Sequence, residues 1–496
     1  MADRPLIDDG DPRPRRRDRL PPPPSGSQLS LREPSGRQRN AGPVSRMANR
    51  FAQILAVALV VLAPFPFGSN RPWAWSALGV VAAVLLIVIQ VVDGPAKRQD
   101  VPSRLLPTAA VLFGLVVLWA CVQVLPWVPA ELHHPFWGDA MTTLAVPLSG
   151  SISISPWRTA IGIYRLVTYA AVFWSMYKLA SDSRAAHLLV NAIVISGAVY
   201  ALYGFVAFVG GNHTILWFEK WAYLDDLTSV FVNRNSYATY NGLCLTAAVG
   251  QLIVKLFGRL DMRQSAKGVI AGLLEMATRE MAPLIVAICL MLATLFLSHS
   301  RMGLVATMGG LAAIVACAAV ARSVPMPPRW PLVIVIGMAL CGIVLVSGSD
   351  TLNRLTPDIV AGDERAEIYR LTLEGIATQP WRGTGLGSFV DVFGFYRTPI
   401  VSESIEFAHN SYLENAFELG IPAAVCLNLA LMLVGSVCVG GLVARRRDGI
   451  YPCIGVAATV LVGLHSLTDF SLQIPAVTVT YLTLLAMGAA QSYRQG

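Results

Sequence analysis

Apolar residues run along this chain in long blocks and not on alternating positions. Ala77 to Val92 and Pro331 to Val346 hold almost nothing else. Blocks near 20 residues match the roughly 30 Å hydrocarbon core of a bilayer when coiled as α-helix. A β-barrel strand would alternate apolar and polar positions instead. The pattern predicts an all-α, polytopic membrane protein of about twelve spans. They fall near 51–67, 73–92, 105–128, 159–180, 185–210, 234–257, 282–298, 302–321, 331–347, 418–443, 450–467 and 475–491. Helices 1–9 occupy residues 47–347, and helices 10–12 occupy 418–496.

The polar remainder sets the organisation. Residues 1–46 are rich in Arg, Pro, Ser and Asp, with four consecutive prolines from Pro21 to Pro24. Such a segment cannot bury a core and reads as a disordered basic tail. It is far too long for the basic region of a secretory signal. With this tail cytoplasmic, Lys97 and Arg98, the connector from Arg259 to Arg279, and Arg445 to Arg447 all fall on the same side, as the positive-inside bias requires. The even number of spans returns the C-terminus to the cytoplasm. The opposite side receives loops at 129–157, 211–233 and 298–301, and one large loop at 348–417 with a helix-like run from Glu364 to Ala377.

Composition sharpens this picture. The 496 residues are 54% hydrophobic and 14% charged, against about 25% charged in an ordinary soluble domain. The net charge of +8 follows from the tail and the cytoplasmic loops, and implies no nucleic-acid partner. All eight cysteines (Cys121, Cys244, Cys289, Cys317, Cys341, Cys426, Cys438 and Cys453) lie in apolar runs without a Cys-x-x-Cys, and read as small core residues.

Candidate chemistry gathers on the outer side. Arg234 opens the sixth span and Arg301 the eighth, so each sits at head-group depth. Arginine there is costly unless partnered, and its forked guanidinium matches phosphate oxygens. Arg365, Arg370 and Arg382 lie in the large loop, and His465 and Asp469 in the last one. His409 is the best general-base candidate, since a free imidazole accepts a proton near neutral pH. Asn410 is a natural N-cap for a helix Ser411 to Leu419. Glu414 and Glu418 share one helix face, expected to be solvated, with orientation of an arginine or a sugar hydroxyl as the alternative. "GTGLGSF" from Gly383 lacks the Lys-Ser/Thr of a phosphate loop and reads as a tight turn or close backbone approach. Asp225-Asp226 is the acidic pair of the shorter loops, but no Asp-x-Asp accompanies it, and no metal or other cofactor is expected. The arginines must then neutralise any leaving diphosphate.

These motifs resemble the bacterial O-antigen ligase and O-antigen or exopolysaccharide polymerase superfamily. The matching strings are "FVNRNSYA", "SHSRMG", "RAEIYRLTLEGIATQPWRGTGLGSF", "AHNSYLENAFELGIP" and "HSLTDFSLQIPA", spread over roughly residues 200–480. Ala423 departs from the Gly, Thr or Tyr usual in ligases of the family, which favours a polymerase. The resemblance implies a GT-C-like, metal-independent, inverting glycosyltransferase of the bacterial inner membrane, with 348–417 as its large periplasmic loop. It implies a glycan on undecaprenyl diphosphate as donor, another glycan or lipid A-core as acceptor, and membrane lipids as surroundings. Carried over residue by residue, Arg234 and Arg301 grip the diphosphate and His409 activates the acceptor hydroxyl. Arg365, Arg370, Arg382, Asn410 and Glu414 are the expected substrate-binding residues. Two other classes compete: a flippase or transporter of lipid-linked glycan, and a non-catalytic partner in polysaccharide export. A transporter predicts charged or broken helices at mid-bilayer, whereas the helix centres here read as nearly free of charge.

Overall fold

The computed structural model describes residues 43–93, 104–259, 281–322, 324, 355–401, 405–445 and 448–493. The expected span 331–347, most of the basic tail, Lys97, Arg98, most of the 259–279 connector, Arg446, Arg447 and Cys341 lie outside the described residues.

Every other expected span is a helix. In chain order these are α1 (Pro43–Leu62), α2 (Pro72–Asp93), α3 (Leu105–Val124), a short α4 (Phe136–Leu144), α5 (Pro156–Ala180), α6 (Ser183–Val209), α7 (Arg234–Arg259), α8 (Ala282–Leu297) and α9 (Arg301–Val320). The chain continues with α10 (Leu355–Thr378), a single turn α11 (Phe389–Val392), α12 (Ser411–Leu419), α13 (Ile421–Ala444), α14 (Ile450–His465) and α15 (Pro475–Ala490). Among the described residues, seven helices are long and apolar enough to cross a membrane: α1, α2, α3, α6, α7, α9 and α13. Helices α8, α14 and α15 are shorter but equally apolar. Helical coiling satisfies each backbone polar group within its own segment, as hydrocarbon demands.

Two boundaries differ from the sequence expectation. The first span ends at Leu62, because Pro64 and Pro66 follow and the chain turns through positive φ at Phe67 and Ser69. The tenth expected span begins at Ile421, since Gly420, at φ 79°, parts α13 from α12. Helix α15 is buried along its whole length, packed by α14, α5 and α7, so it reads as apolar on all sides. Its crossing with α14 is tight: a Cβ on Gly455 would stand 3.3 Å from the Cα of Gly488. Small residues at such crossings let backbones approach where lipid offers no hydrophobic drive.

One helix contradicts the reading that helix centres lack charge. Arg165 lies in the middle of α5, over the ring of Trp75 at 5.2 Å, and the enclosed Nε has no hydrogen-bond partner. Outside the long spans, α10, α11 and α12 build their own apolar cluster around Ile368, Leu371, Phe389, Phe393 and Phe417.

Candidate active site

Two helix N-termini meet at the start of α7 and α9. Asn233 caps α7, its Oδ1 accepting the N–H groups of Asn235 (2.7 Å) and Ser236 (3.2 Å). Ser300 caps α9 by accepting from the Gly303 N–H, and its hydroxyl donates to Asn235 Oδ1 at 2.7 Å. This last bond ties the two caps together. Arg234 and Arg301 are the first residues of these two adjoining helices, at the positive ends of their dipoles. Asp226 ties Arg234 to the turn before α9: its carboxylate accepts from Arg234 Nη1 and from His299 Nδ1, both at 2.8 Å. The Arg234 guanidinium also lies over the ring of Tyr223 at 5.5 Å. Tyr223 and His299 both hold positive φ, 54° and 50°. Such strain in non-glycine residues clusters at functional sites.

His409 occupies the facing element, also strained, with φ 51°. Its backbone carbonyl accepts the Tyr369 hydroxyl at 2.8 Å. Asn410 caps α12, accepting from Tyr412 (3.0 Å) and Leu413 (3.1 Å), and its amide donates to the Leu467 carbonyl. The expected Ser411–Leu419 helix is therefore present with its expected cap. His409 Nδ1 faces Asp469 Oδ1 at 3.6 Å, and the imidazole meets Phe470 edge-on at 5.1 Å. Asp469 is buried, 1% exposed. Burial alone raises its carboxyl, but the imidazoles of His409 and His465 outweigh burial and hold it below the usual carboxylate range.

The loop after α14 joins these two halves. His465 Nδ1 shares hydrogen bonds with Thr239 Oγ1 of α7 (2.8 Å) and Ser471 Oγ (3.0 Å). Thr239 also bonds Ser471 at 2.9 Å. The loop that carries Asp469 is thus pinned to the helix that carries Arg234. Arg365 belongs to the same neighbourhood. Burial raises the Tyr223 hydroxyl, Asp469 raises it further, and Arg234 and Arg365 oppose. Tyr369 responds alike: burial raises it, Arg365 opposes and Asp469 adds.

The remaining expected residues stand apart from this cluster. Arg370 points along the exposed face of α10, forked onto Glu367 at 2.8 and 2.9 Å and reaching Glu374 at 3.2 Å. Hydrogen bonds from Arg370 and Thr398 hold the Glu367 carboxyl down at about 2. Arg382 donates to the Glu131 carbonyl and to Gln379. His465, unlike these, belongs to the cluster as a buried brace, 1% exposed.

Glu414 and Glu418 overturn the expected solvated face, since each is only 2% exposed. Glu414 accepts from the Ala408 N–H and from Gln473 Nε2, both at 2.9 Å. Glu418 accepts from the Phe389 N–H at 3.0 Å. Burial, then each other's charge, pushes Glu414 well above the carboxylate range. Burial lifts Glu418 to about 7 against the pull of backbone N–H groups and of Arg158 and Arg165. The helix spacing gave the shared face but not its cover. The "GTGLGSF" loop supplies part of that cover: Thr384 and Gly385 donate to the carbonyls of Phe417 and Glu418. Gly383, at φ 68°, lies so close that a Cβ there would clash with the Glu418 carbonyl.

Sequence reasoning passed over Tyr223, His299 and Tyr369, and weighed Asp226 only as a metal ligand. The usable signals were Tyr369 one turn after Arg365, and a histidine two residues before Arg301 in a tight turn.

Residues 286–427 match the family model described as O-antigen ligase. The match takes in His299, Arg301, Arg365 and His409, and leaves Arg234 and Asp469 outside. No curated protein matches the chain.

Proposed function

The chain belongs to the O-antigen ligase superfamily, glycosyl-transfer-type enzymes of polysaccharide biosynthesis, and from that premise we propose that it extends or transfers glycans carried on undecaprenyl diphosphate at the periplasmic face of the inner membrane. The arrangement that carries this reading is the joining of Arg234 and Arg301 through the Ser300–Asn235 bond, opposite His409 and its buried partner Asp469.

The chemistry follows from charge. The donor's isoprenoid stays in the bilayer, and its diphosphate lies at head-group depth beside Arg234, Arg301 and two helix N-termini. The acceptor hydroxyl oxygen attacks the anomeric carbon from the side opposite the diphosphate. The bond from that carbon to the diphosphate oxygen breaks, so the configuration inverts. His409 takes the hydroxyl proton through Nε2, while the Asp469 carboxylate, 3.6 Å from Nδ1, stabilises the imidazolium that forms. Undecaprenyl diphosphate departs with its new charge against the arginines. Arg365 lies near enough to bind the diphosphate or the first sugars, and Asn410 orients His409 by capping α12. Glu414 shapes the loop through the Ala408 N–H. Arg370 and Arg382 serve the periplasmic subdomain's structure.

Ala423 favours polymerisation over transfer to lipid A-core. The test is a strain lacking this chain, with undecaprenyl-diphosphate glycans measured by mass spectrometry beside a lipopolysaccharide gel. Single repeat units accumulate if the chain is a polymerase. Long glycan on the carrier with bare lipid A-core identifies a ligase. Unchanged pools together with normal secreted polysaccharide reject glycosyl transfer.

A further inference from the structure

A cavity of about 670 Å³ lies beneath the His409 segment, between α5 and the helices α12 to α15. That volume falls in the range of small-molecule sites, roughly 300–1,000 Å³. It holds a head group and the beginning of a chain, not a polymer. None of the arginines at the His409 cluster lines it. The two sites meet at a wall of rings. Phe407, which lines the cavity, stacks on Phe470 at 4.1 Å, and Phe470 meets the His409 imidazole.

The lining is divided. Its polar end carries Arg158, Arg165, Glu414, Asn415, Glu418 and Gln473. Its other end is mainly apolar, formed by Leu427, Leu431 and Met432 of α13 with Val460 and Leu482, with Asn428, Thr459 and Tyr481 among them. Met432 is also 64% exposed on the outer surface of α13, so the apolar end reaches the lipid-facing side of the bundle. The polar end holds an unanswered charge. Arg158 is paired with Asp391 at 2.7 Å, whereas Arg165 lies over the Trp75 ring and makes no ion pair among the described residues. A half-buried guanidinium that lines a cavity without a carboxylate partner attracts an anionic oxygen. Glu414, pushed above the carboxylate range by burial, offers a hydroxyl donor beside it, and Glu418, raised to about 7, can donate or accept. Sugar hydroxyls are matched by such groups, which donate and accept.

We propose that this cavity is a second lipid site, seating the acceptor: a glycolipid whose phosphate pairs with Arg165, whose sugar hydroxyls meet Glu414, Asn415 and Glu418, and whose aliphatic chain leaves past Leu431 and Met432. The word acceptor rests on the transferase reading above; the lipid site does not. An amphiphile held this way presents its sugars to the side of the wall nearest His409 and keeps its tail in the bilayer.

Native mass spectrometry of the full-length protein in detergent tests it, with undecaprenyl phosphate as probe. Wild type binds two molecules. Arg234→Ala with Arg301→Ala removes one, and Met432→Trp, a lipid-facing substitution that plugs the portal, removes the other. Arg165→Gln weakens the second molecule about tenfold or more, the value of a charge-assisted bond, and leaves undecaprenol binding unchanged. Inorganic phosphate and phosphatidylglycerol do not compete. Binding untouched by both Met432→Trp and Arg165→Gln overturns the proposal, as does equal displacement by phosphatidylglycerol, which marks an annular lipid, or by inorganic phosphate, which marks a free-anion site. If His409, Arg234 and Arg301 variants keep full polymer output while the cavity variants lose their lipid, the transferase reading fails and the lipid site stands.

Discussion

At the scale of single residues, the account turns on a histidine that the backbone itself strains. A β-region residue at 409 would relieve the positive φ, yet Tyr369 grips its carbonyl and Asn410 begins a helix immediately after. Asp469 approaches Nδ1 from a fully buried position, so it can fix the tautomer and stabilise the imidazolium. Asp469→Asn should keep the fold and lower turnover by roughly 10² to 10⁴-fold. The check is a rate of glycan elongation in washed membranes at matched protein level. A positioning role further predicts an altered pH–rate profile, which a purely structural loss of protein would not produce. The importance of His409 and its neighbour was visible in the strings "AHNSYLE" and "HSLTDF", because both are polar breaks in apolar sequence. Their partnership was not visible. It depends on Thr239 and Ser471 pinning a loop to a helix more than 200 residues earlier in the chain.

At the scale of elements, α12 is the hinge between chemistry and scaffold. Its start was legible from Asn410, since a capping side chain acts locally. Its burial was not, because spacing reports a shared face and says nothing of what covers it. The cover comes from Gly383 to Phe389, from Gln473, and from Gln123 of α3, which donates to the Glu418 carbonyl at 2.9 Å. Gly383→Ala forces a Cβ into that contact at positive φ and should cost about 1–3 kcal/mol, seen as a lower unfolding temperature in detergent. The carboxyl pair predicts a pH dependence of stability. Glu418 is raised to about 7 in the folded chain, so the folded state binds more protons than the unfolded one above the ordinary carboxylate value. Stability is then full at acid pH and falls as pH rises from the ordinary carboxylate value toward 7. Melting at pH 5 and pH 8 should differ in that direction, and Glu418→Gln should reduce the difference, leaving the share of Glu414. Arg165 was missed for the complementary reason. One charge within a long apolar run reads as an interruption, whereas packing makes it the polar end of a cavity.

At the scale of the molecule, the apolar runs specified a helical membrane bundle because hydrocarbon leaves the backbone few alternatives. The bundle holds α7 and α9 side by side through the Ser300–Asn235 bond, so that two arginines separated by 67 positions open adjoining helices, and on the proposed reading they bind the diphosphate that His409 acts beside. The direct measurement of this account is glycan transfer by the purified chain in proteoliposomes. Substrate is a lipid-linked repeat unit, with product read by mass spectrometry. Wild type, His409→Ala and the double variant Arg234→Ala with Arg301→Ala are compared at equal folded protein. The account predicts that His409→Ala binds the donor normally and stops transfer, while the arginine variant fails to bind it. Full transfer by His409→Ala would contradict the assignment of the reaction to this site.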